Sequence, residues 1–180
     1  MHTIPPLADL GERIMVLGLT NSGKSTLAEA IGRRTGIPVV HLDQFRHLPN
    51  TNWEERSDEA FKELHDAAVA TDAWIMDGSY SKVMAPRLER VTGMIVLDES
   101  LAVRLRRYLL RSVVQRRRAG GLEGNQDSIR LHMLGWLWKT RDRAEGIRNF
   151  ARSRGVPHVF CHNQSELEGL YEAWGLTRQD

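Results

Sequence analysis

Short apolar runs alternate along the chain with longer segments whose apolar positions recur every three or four residues. Five runs, at 13–18, 39–42, 74–77, 94–98 and 158–161, read as strands. The segments between them read as helices. Leu27-Ala28-Glu29-Ala30-Ile31 follows the first strand, and Gly36 and Pro38 then separate that helix from the second strand. Thr51-x-x-Glu54 predicts a helix start ahead of a segment with Phe61, Leu64 and Ala68 on one face. Asn163-x-x-Glu166 predicts the start of the last helix. No internal repeat or low-complexity tract occurs, and the one flexible stretch, at 119–125, reads as a mobile loop. The pattern predicts an α/β fold, a five-stranded parallel sheet flanked by helices, in a single domain over 1–180.

Composition changes this picture little. A chain of 180 residues, 41% apolar and 27% charged, suits one core. A net charge of +2 gives no bulk argument for nucleic acid or membrane, although a pI near 8.9 permits weak attraction to polyanions. Cys161 is the lone cysteine and lies in His158-Val159-Phe160-Cys161, so it reads as a small buried strand residue. The first ten residues do not resemble a signal peptide, and no apolar run approaches the ~18 residues of a membrane span. The expected location is the cytoplasm. The oligomeric state is not legible in the sequence.

The chemistry begins at Gly18-Leu19-Thr20-Asn21-Ser22-Gly23-Lys24-Ser25, directly after Ile14-Met15-Val16-Leu17. It fits G-x-x-x-x-G-K-[ST], a phosphate-binding loop placed between a strand and a helix. Glycines let backbone N–H groups turn toward phosphate oxygens, Lys24 reaches the β/γ-phosphates, and the Ser25 hydroxyl can ligate Mg²⁺. A helix starting near Lys24 adds its N-terminal dipole.

Ligands of open α/β sheets bind beyond the carboxyl ends of the strands. Three runs end in aspartate: Asp43, Asp77 and Asp98. Such an acid can organise Mg²⁺ or orient an acceptor hydroxyl, or it can simply cap the next helix. Asp98, followed by Glu99-Ser100, fits a cap best. Asp43 and Asp77 precede long polar connections and are the functional candidates. After the fourth strand, Arg104, Arg107, Arg111 and Arg118 fall within about 60° on a helix, and Leu105, Leu109, Leu110 and Val113 lie opposite. The pattern predicts that the leucine side packs while the arginine side is cationic, either as a solvated face or as a source of guanidinium groups for a transferring phosphoryl group. Arg116-Arg117-Arg118 lead into the glycine-rich loop, and Arg130, Arg141 and Arg143 lie beyond it, as in a lid.

His41 precedes Asp43 by two residues and on a strand would share its face, supporting the acid or the substrate. The alternative is a partly buried strand-end residue. His132, His158 and His162 lack metal-ligand spacing. Trp136 and Trp138 read as core and lid packing.

Taken together, the strand, the loop Gly18–Ser25, the five runs and the arginine-bearing lid resemble the small P-loop kinases that include adenylate, shikimate and gluconate kinases. His41-Leu42-Asp43, Asn52-Trp53, Trp74-Ile75-Met76-Asp77-Gly78-Ser79-Tyr80-Ser81 and Val96-Leu97-Asp98 before Arg104-x-x-Arg107 are similar to the bacterial adenylate-kinase-like proteins labelled topology modulation, or FlaR-related. The resemblance implies a nucleoside monophosphate kinase-like P-loop fold, an acceptor-binding segment at about 43–73 and a helical lid at about 114–140. It also implies ATP and Mg²⁺ as cofactors. Gly18, Thr20, Asn21, Ser22, Gly23, Lys24, Ser25 and Thr26 would hold the nucleotide, Ser25 and Asp77 the metal, and Lys24, Asp43, Asp77, Arg107, Arg111 and Arg118 would carry catalysis.

The chain departs from that group in two places. Adenylate kinases follow the third-strand Asp-Gly with an aromatic-Pro-Arg segment that binds the monophosphate. Here Ser79-Tyr80-Ser81 stands instead, leaving Lys82, Arg87 or Arg90 as substitutes. The second acid that shikimate and gluconate kinases carry near the position of Asp43 is replaced by Gln44 and Phe45. The expected activity is γ-phosphoryl transfer from ATP to a small acceptor: a nucleotide, a nucleoside or a hydroxyl metabolite. A GTPase is disfavoured because no Asn-Lys-x-Asp segment selects guanine. A nucleotide-dependent DNA-associated or regulatory ATPase is the rival reading, permitted by the arginine helix but not favoured by the charge balance.

Overall fold

The computed structural model describes residues 4–51, 53–114, 121, 135 and 137–178, except for the side chains of 111–114 and 141. Strands β1 (Arg13–Gly18), β2 (Val39–His41), β3 (Trp74–Asp77), β4 (Gly93–Leu97) and β5 (His158–Cys161) form one parallel sheet in the order β2-β3-β1-β4-β5. The chain leaves the central strand β1 and crosses to the β2 edge, then returns past it to β4. The crevice at this reversal is where such sheets bind ligands. The register sets Val16 beside Asp77, His41 beside Asp77, and Gly18 beside Leu97, so the ends of β2, β3 and β4 gather around the loop that leaves β1.

Alternation along the strands feeds two cores. Ile14 and Val16 of β1 join Ile75, Ile95 and Val159 under α1 (Lys24–Thr35) and α7 (Gln164–Ala173), where Leu27, Ile31, Leu167 and Leu170 are buried. Met15 and Leu17 face the other way, with Met76, Met94 and Val96, against Val69 of α3 (Asp58–Val69) and Ala151 of α6 (Ala144–Arg152). A sheet covered on both faces explains strand runs that are almost continuously apolar. The remaining helices are α2 (Leu42–Arg46), α4 (Met84–Arg90) and α5 (Leu101–Val114). Among the described residues no helix is long and apolar enough to cross a membrane.

Local signals explain where expectation and structure part. The second strand stops at His41 because Leu42 already turns into α2, so His41 and Asp43 do not share a strand face. Thr51 closes a turn rather than opening a helix: its hydroxyl accepts the Glu54 N–H at 3.1 Å and donates to the Leu48 carbonyl. α3 is capped instead by Ser57, which accepts from the Ala60 N–H at 3.1 Å. On α3, Phe61, His65 and Val69 turn inward while Leu64 is exposed. Asn163 caps α7 as its motif predicts, accepting the Glu166 N–H at 2.9 Å, and Glu166 reaches back to the His162 N–H. Cys161 is buried, which pushes its thiol up to about 12.

Candidate nucleotide and acceptor site

The loop after β1 is built for close approach. Gly18 has φ +142°, and a Cβ there would lie 2.3 Å from the Leu97 carbonyl oxygen, so only glycine fits beside β4. Asn21 and Gly23 are both left-handed, at φ +64° and +101°, the type of backbone that forms an anion-binding concavity at a helix start. Lys24 and Ser25 open α1. Lys24 Nζ donates to the Leu19 carbonyl at 3.1 Å, folding the lysine back over its own loop, and Thr26 lies exposed in the same turn. The side-chain polar atoms of Asn21 and the Ser22 hydroxyl are buried without hydrogen-bond partners. Groups of that kind are costly unless something fills the loop.

Asp77, at the end of β3, is the junction of the site. Its Oδ2 accepts from the Ser25 hydroxyl at 2.5 Å and from His41 Nδ1 at 3.2 Å, while His41 Nε2 lies 2.9 Å from Glu29 Oε1 on α1. An imidazole between two carboxylates faces only acceptors, an arrangement that favours the doubly protonated ring. Burial opposes the His41 charge, but hydrogen bonds to Asp77 and Glu29 outweigh it and raise the ring above its ordinary value. Burial likewise opposes the Asp77 charge. Here the His41 hydrogen bond, the Lys24 charge and the Ser25 hydroxyl prevail, holding its carboxyl below the usual carboxylate range. The second oxygen, Oδ1, is buried with no partner. An anionic, unpaired oxygen beside a serine hydroxyl matches the oxygen donor set of a magnesium ion that also binds phosphate.

α5 packs with the opposite side from the one its pattern predicts. Arg104 is buried, and its Nε donates to the Thr20 carbonyl at 2.9 Å. Arg107 Nη1 donates to the Ser22 carbonyl at 2.7 Å, and its Nη2 reaches Gln164 of α7 and lies 3.2 Å from Glu99 Oε2. Burial lowers both guanidiniums, with Glu99 opposing the shift at Arg107. Leu109 and Leu110, expected in the core, are exposed. The cause is that carbonyls turned outward by the left-handed loop need donors, and two arginines one helical turn apart supply them. The side chains of Arg111 and Arg141 lie outside the described residues, as do Arg116, Arg117, Arg118, Arg130 and Trp136. Trp138 is exposed.

On the other side of the crevice, Asp43 is exposed on α2, and its Oδ1 accepts from the Tyr80 hydroxyl at 2.5 Å. Gln44 Nε2 donates to the Gly121 carbonyl at 3.0 Å, joining α2 to the glycine-rich loop. Beside Tyr80 lies a cavity of about 220 Å³ lined by Arg46, Asp58, Phe61, Tyr80, Ser81 and Lys82. Both of its cations are paired: Arg46 with Glu55 and Asp58, and Lys82 with Asp58. Asp98 does not cap α5. It pairs with Arg148 and His162, and Ser100 accepts the Val103 N–H in its place.

The structure thus brings Lys24, Ser25 and Asp77 together, sets Asp43 across the crevice, and ties Arg107 to the loop. Sequence reasoning missed Glu29, Arg46 and Tyr80. Glu29 stands four residues after Ser25, one turn along the same helix face, and that spacing was the available signal. Of the three suggested monophosphate-binding cations, Lys82 alone lines the cavity. Arg87 is buried against carbonyls, and Arg90 donates to the Thr71 carbonyl.

Comparison with known proteins agrees with this fold. In fold the chain resembles a gluconokinase from Sinorhizobium meliloti 1021 (18% identity, TM-score 0.55, covering 92% of this chain and 91% of that one). It also resembles a shikimate kinase from Bacteroides thetaiotaomicron (17% identity, TM-score 0.51, 89% and 97% covered). A third similar structure is a shikimate kinase from Acinetobacter baumannii in complex with shikimate (16% identity, TM-score 0.50, 92% and 94% covered). No curated protein sequence matches. A family model described as an AAA domain matches residues 14–129, from β1 through the phosphate-binding loop and past α5. By that match the chain belongs to the AAA-domain family.

Proposed function

We propose that this protein transfers the γ-phosphoryl group of ATP to the hydroxyl of a small acceptor. The observation that carries the reading is Asp77, whose Oδ2 takes the Ser25 hydroxyl at 2.5 Å while Oδ1 stays buried and unpartnered beside the phosphate loop. The gluconokinase and shikimate kinase that share the fold point the same way. Ser25 and Asp77 would hold a divalent cation, whose chemistry is to offset charge on the phosphate oxygens. His41 and Glu29 keep the Asp77 carboxylate oriented and ionised.

Lys24 swings from the Leu19 carbonyl to the phosphates. Asp43, across the crevice, takes the proton of the acceptor hydroxyl as that oxygen bonds to the γ-phosphorus. The β–γ bridging P–O bond breaks in the same step and ADP leaves with its electrons. Arg111 of α5 and Arg118 of the lid at about 114–140 belong to the proposal as charge stabilisers for the transferred group. Arg104 and Arg107, turned into the loop, leave the DNA-associated alternative without its main support. The narrower likeness to the topology modulation group and a cytoplasmic setting are also part of this reading. The first rests on the motifs around Asp43, Asp77 and Arg104.

The test is ATP consumption by purified protein with Mg²⁺, screened against nucleoside monophosphates, nucleosides, shikimate, gluconate and other hydroxyl compounds, with one DNA-only arm. Acceptor-dependent turnover is expected, lost in Lys24→Ala with the fold intact, and lost in Asp43→Asn with ATP affinity spared. Turnover stimulated by DNA alone would overturn the reading.

A further inference from the structure

The turn after β3 holds an unfavourable conformation that nucleotide binding does not explain. Tyr80 sits at φ +35°, ψ 74°, in the left-handed region that an aromatic residue avoids. Strained residues persist only where their surroundings over-determine them, and they concentrate at functional sites. Arg87 does that here. It is completely buried on α4, and its Nη1 donates to the Gly78 carbonyl at 2.8 Å and its Nη2 to those of Ser79 and Tyr80 at 2.5 and 3.3 Å. One guanidinium on three successive carbonyls fixes the path of the turn. The Tyr80 ring is then set 5.2 Å from Phe61, and its hydroxyl is aimed at Asp43.

We propose that Tyr80 is the specificity-determining residue of the acceptor site, that Arg87 positions it, and that the acceptor is a small hydroxyl compound rather than a nucleotide or nucleoside. The inference rests on the phosphotransfer reading above. Asp43 stands exposed on a five-residue helix, where its carboxylate would otherwise rotate freely. The Tyr80 hydroxyl occupies Oδ1 and leaves the other oxygen for an acceptor O–H. Burial and the neighbouring Asp43 charge push the tyrosine hydroxyl up from its ordinary value, so it remains a donor at working pH.

The same ring forms one wall of the cavity. At about 220 Å³ that space is smaller than the ~300–1,000 Å³ of common ligand pockets, which favours an acceptor of sugar or hydroxy-acid size. Its two cations already share Asp58, so a monophosphate would bind there in competition with that carboxylate.

The experiment compares wild type with Tyr80→Phe, which keeps the ring and removes only the hydroxyl. Kinetics are measured with D-gluconate, shikimate, glycerol, adenosine and AMP as acceptors. A small hydroxyl compound should give the highest kcat/KM. Tyr80→Phe should lower that value by about tenfold, with KM for ATP and the melting temperature unchanged. Arg87→Lys should lower it similarly, since an ammonium lacks the rigid fork that spans the three carbonyls. Unchanged acceptor kinetics in Tyr80→Phe would overturn the role of Tyr80, and AMP or adenosine as the best acceptor would overturn the substrate class. Wild type that consumes ATP with none of them would refute the phosphotransfer reading itself, and this inference with it.

Discussion

Replacing Arg107 with alanine tests whether α5 sets the shape of the phosphate loop. The side chain donates to the Ser22 carbonyl at 2.7 Å and is the partner of Glu99, which is 4% exposed. Truncation removes a charge-assisted hydrogen bond, worth about 1.5–3 kcal/mol. It also strands a buried carboxylate, and breaking a buried pair costs about 3–5 kcal/mol. The arginine side chain is 28% exposed, so water reaches part of the gap and the low end of these ranges applies. A total of about 4.5 kcal/mol, at about 2–4 °C per kcal/mol for a chain of this size, lowers Tm by roughly 9–18 °C.

Adding Glu99→Gln removes the stranded charge and should restore about 1–2 kcal/mol of that loss. It should not restore nucleotide binding, because the Ser22 carbonyl still lacks its donor. Urea unfolding of the four members of the cycle, together with titration of a fluorescent ATP analogue in Mg²⁺, separates the two effects. A single variant within about 0.5 kcal/mol of wild type, or a double variant no more stable than the single, would refute the argument.

The remaining predictions concern the residues around this clamp. The raised His41 value makes its contribution fully present below the unfolded pKa of about 6.5 and lost as pH rises through the folded value. His41→Asn should flatten that part of a stability profile taken by urea unfolding between pH 5 and 9, and an unaltered profile would contradict the network. Gly18→Ala should unfold at a clearly lower temperature and bind ATP poorly, since its Cβ would meet the Leu97 carbonyl oxygen at 2.3 Å; a calorimetric scan decides. Ser57→Ala should cost about 1 kcal/mol in urea unfolding without changing turnover, because it removes only the cap of α3.

What the sequence made legible follows from how local each signal is. A strand covered on both faces is an unbroken apolar run, so all five were visible to within a residue at each end. The loop Gly18–Ser25 and the Asn163 cap are encoded within eight residues or fewer and needed no partner. The sheet order is not local. Only the pairing of β2 with β3 places His41 opposite Asp77, and no spacing within the chain connects either residue to Glu29. His41 therefore looked like a neighbour of Asp43, two residues away on a strand that in fact ends before Asp43.

The helix after β4 shows why amphipathic pattern alone misjudged the inner side. Hydrophobicity ranks leucine above arginine for burial, and on an ordinary surface helix that ranking decides which side packs. α5 lies instead against a loop whose left-handed residues turn carbonyls outward, and leucine cannot satisfy a carbonyl. An unpaired buried carbonyl costs about as much as burying a leucine gains, and a guanidinium can serve two at once. The balance therefore turns toward arginine wherever a helix packs on irregular backbone. The same logic holds for Arg87, which the sequence offered as a phosphate ligand and the structure seats on three carbonyls of the turn carrying Tyr80. In both places an arginine near a phosphate site shapes the backbone that forms the site. The Arg107 and Arg87 variants should thus resemble each other in one respect: each degrades the ligand bound by the turn it holds, ATP for Arg107 and the acceptor for Arg87, while sparing the other.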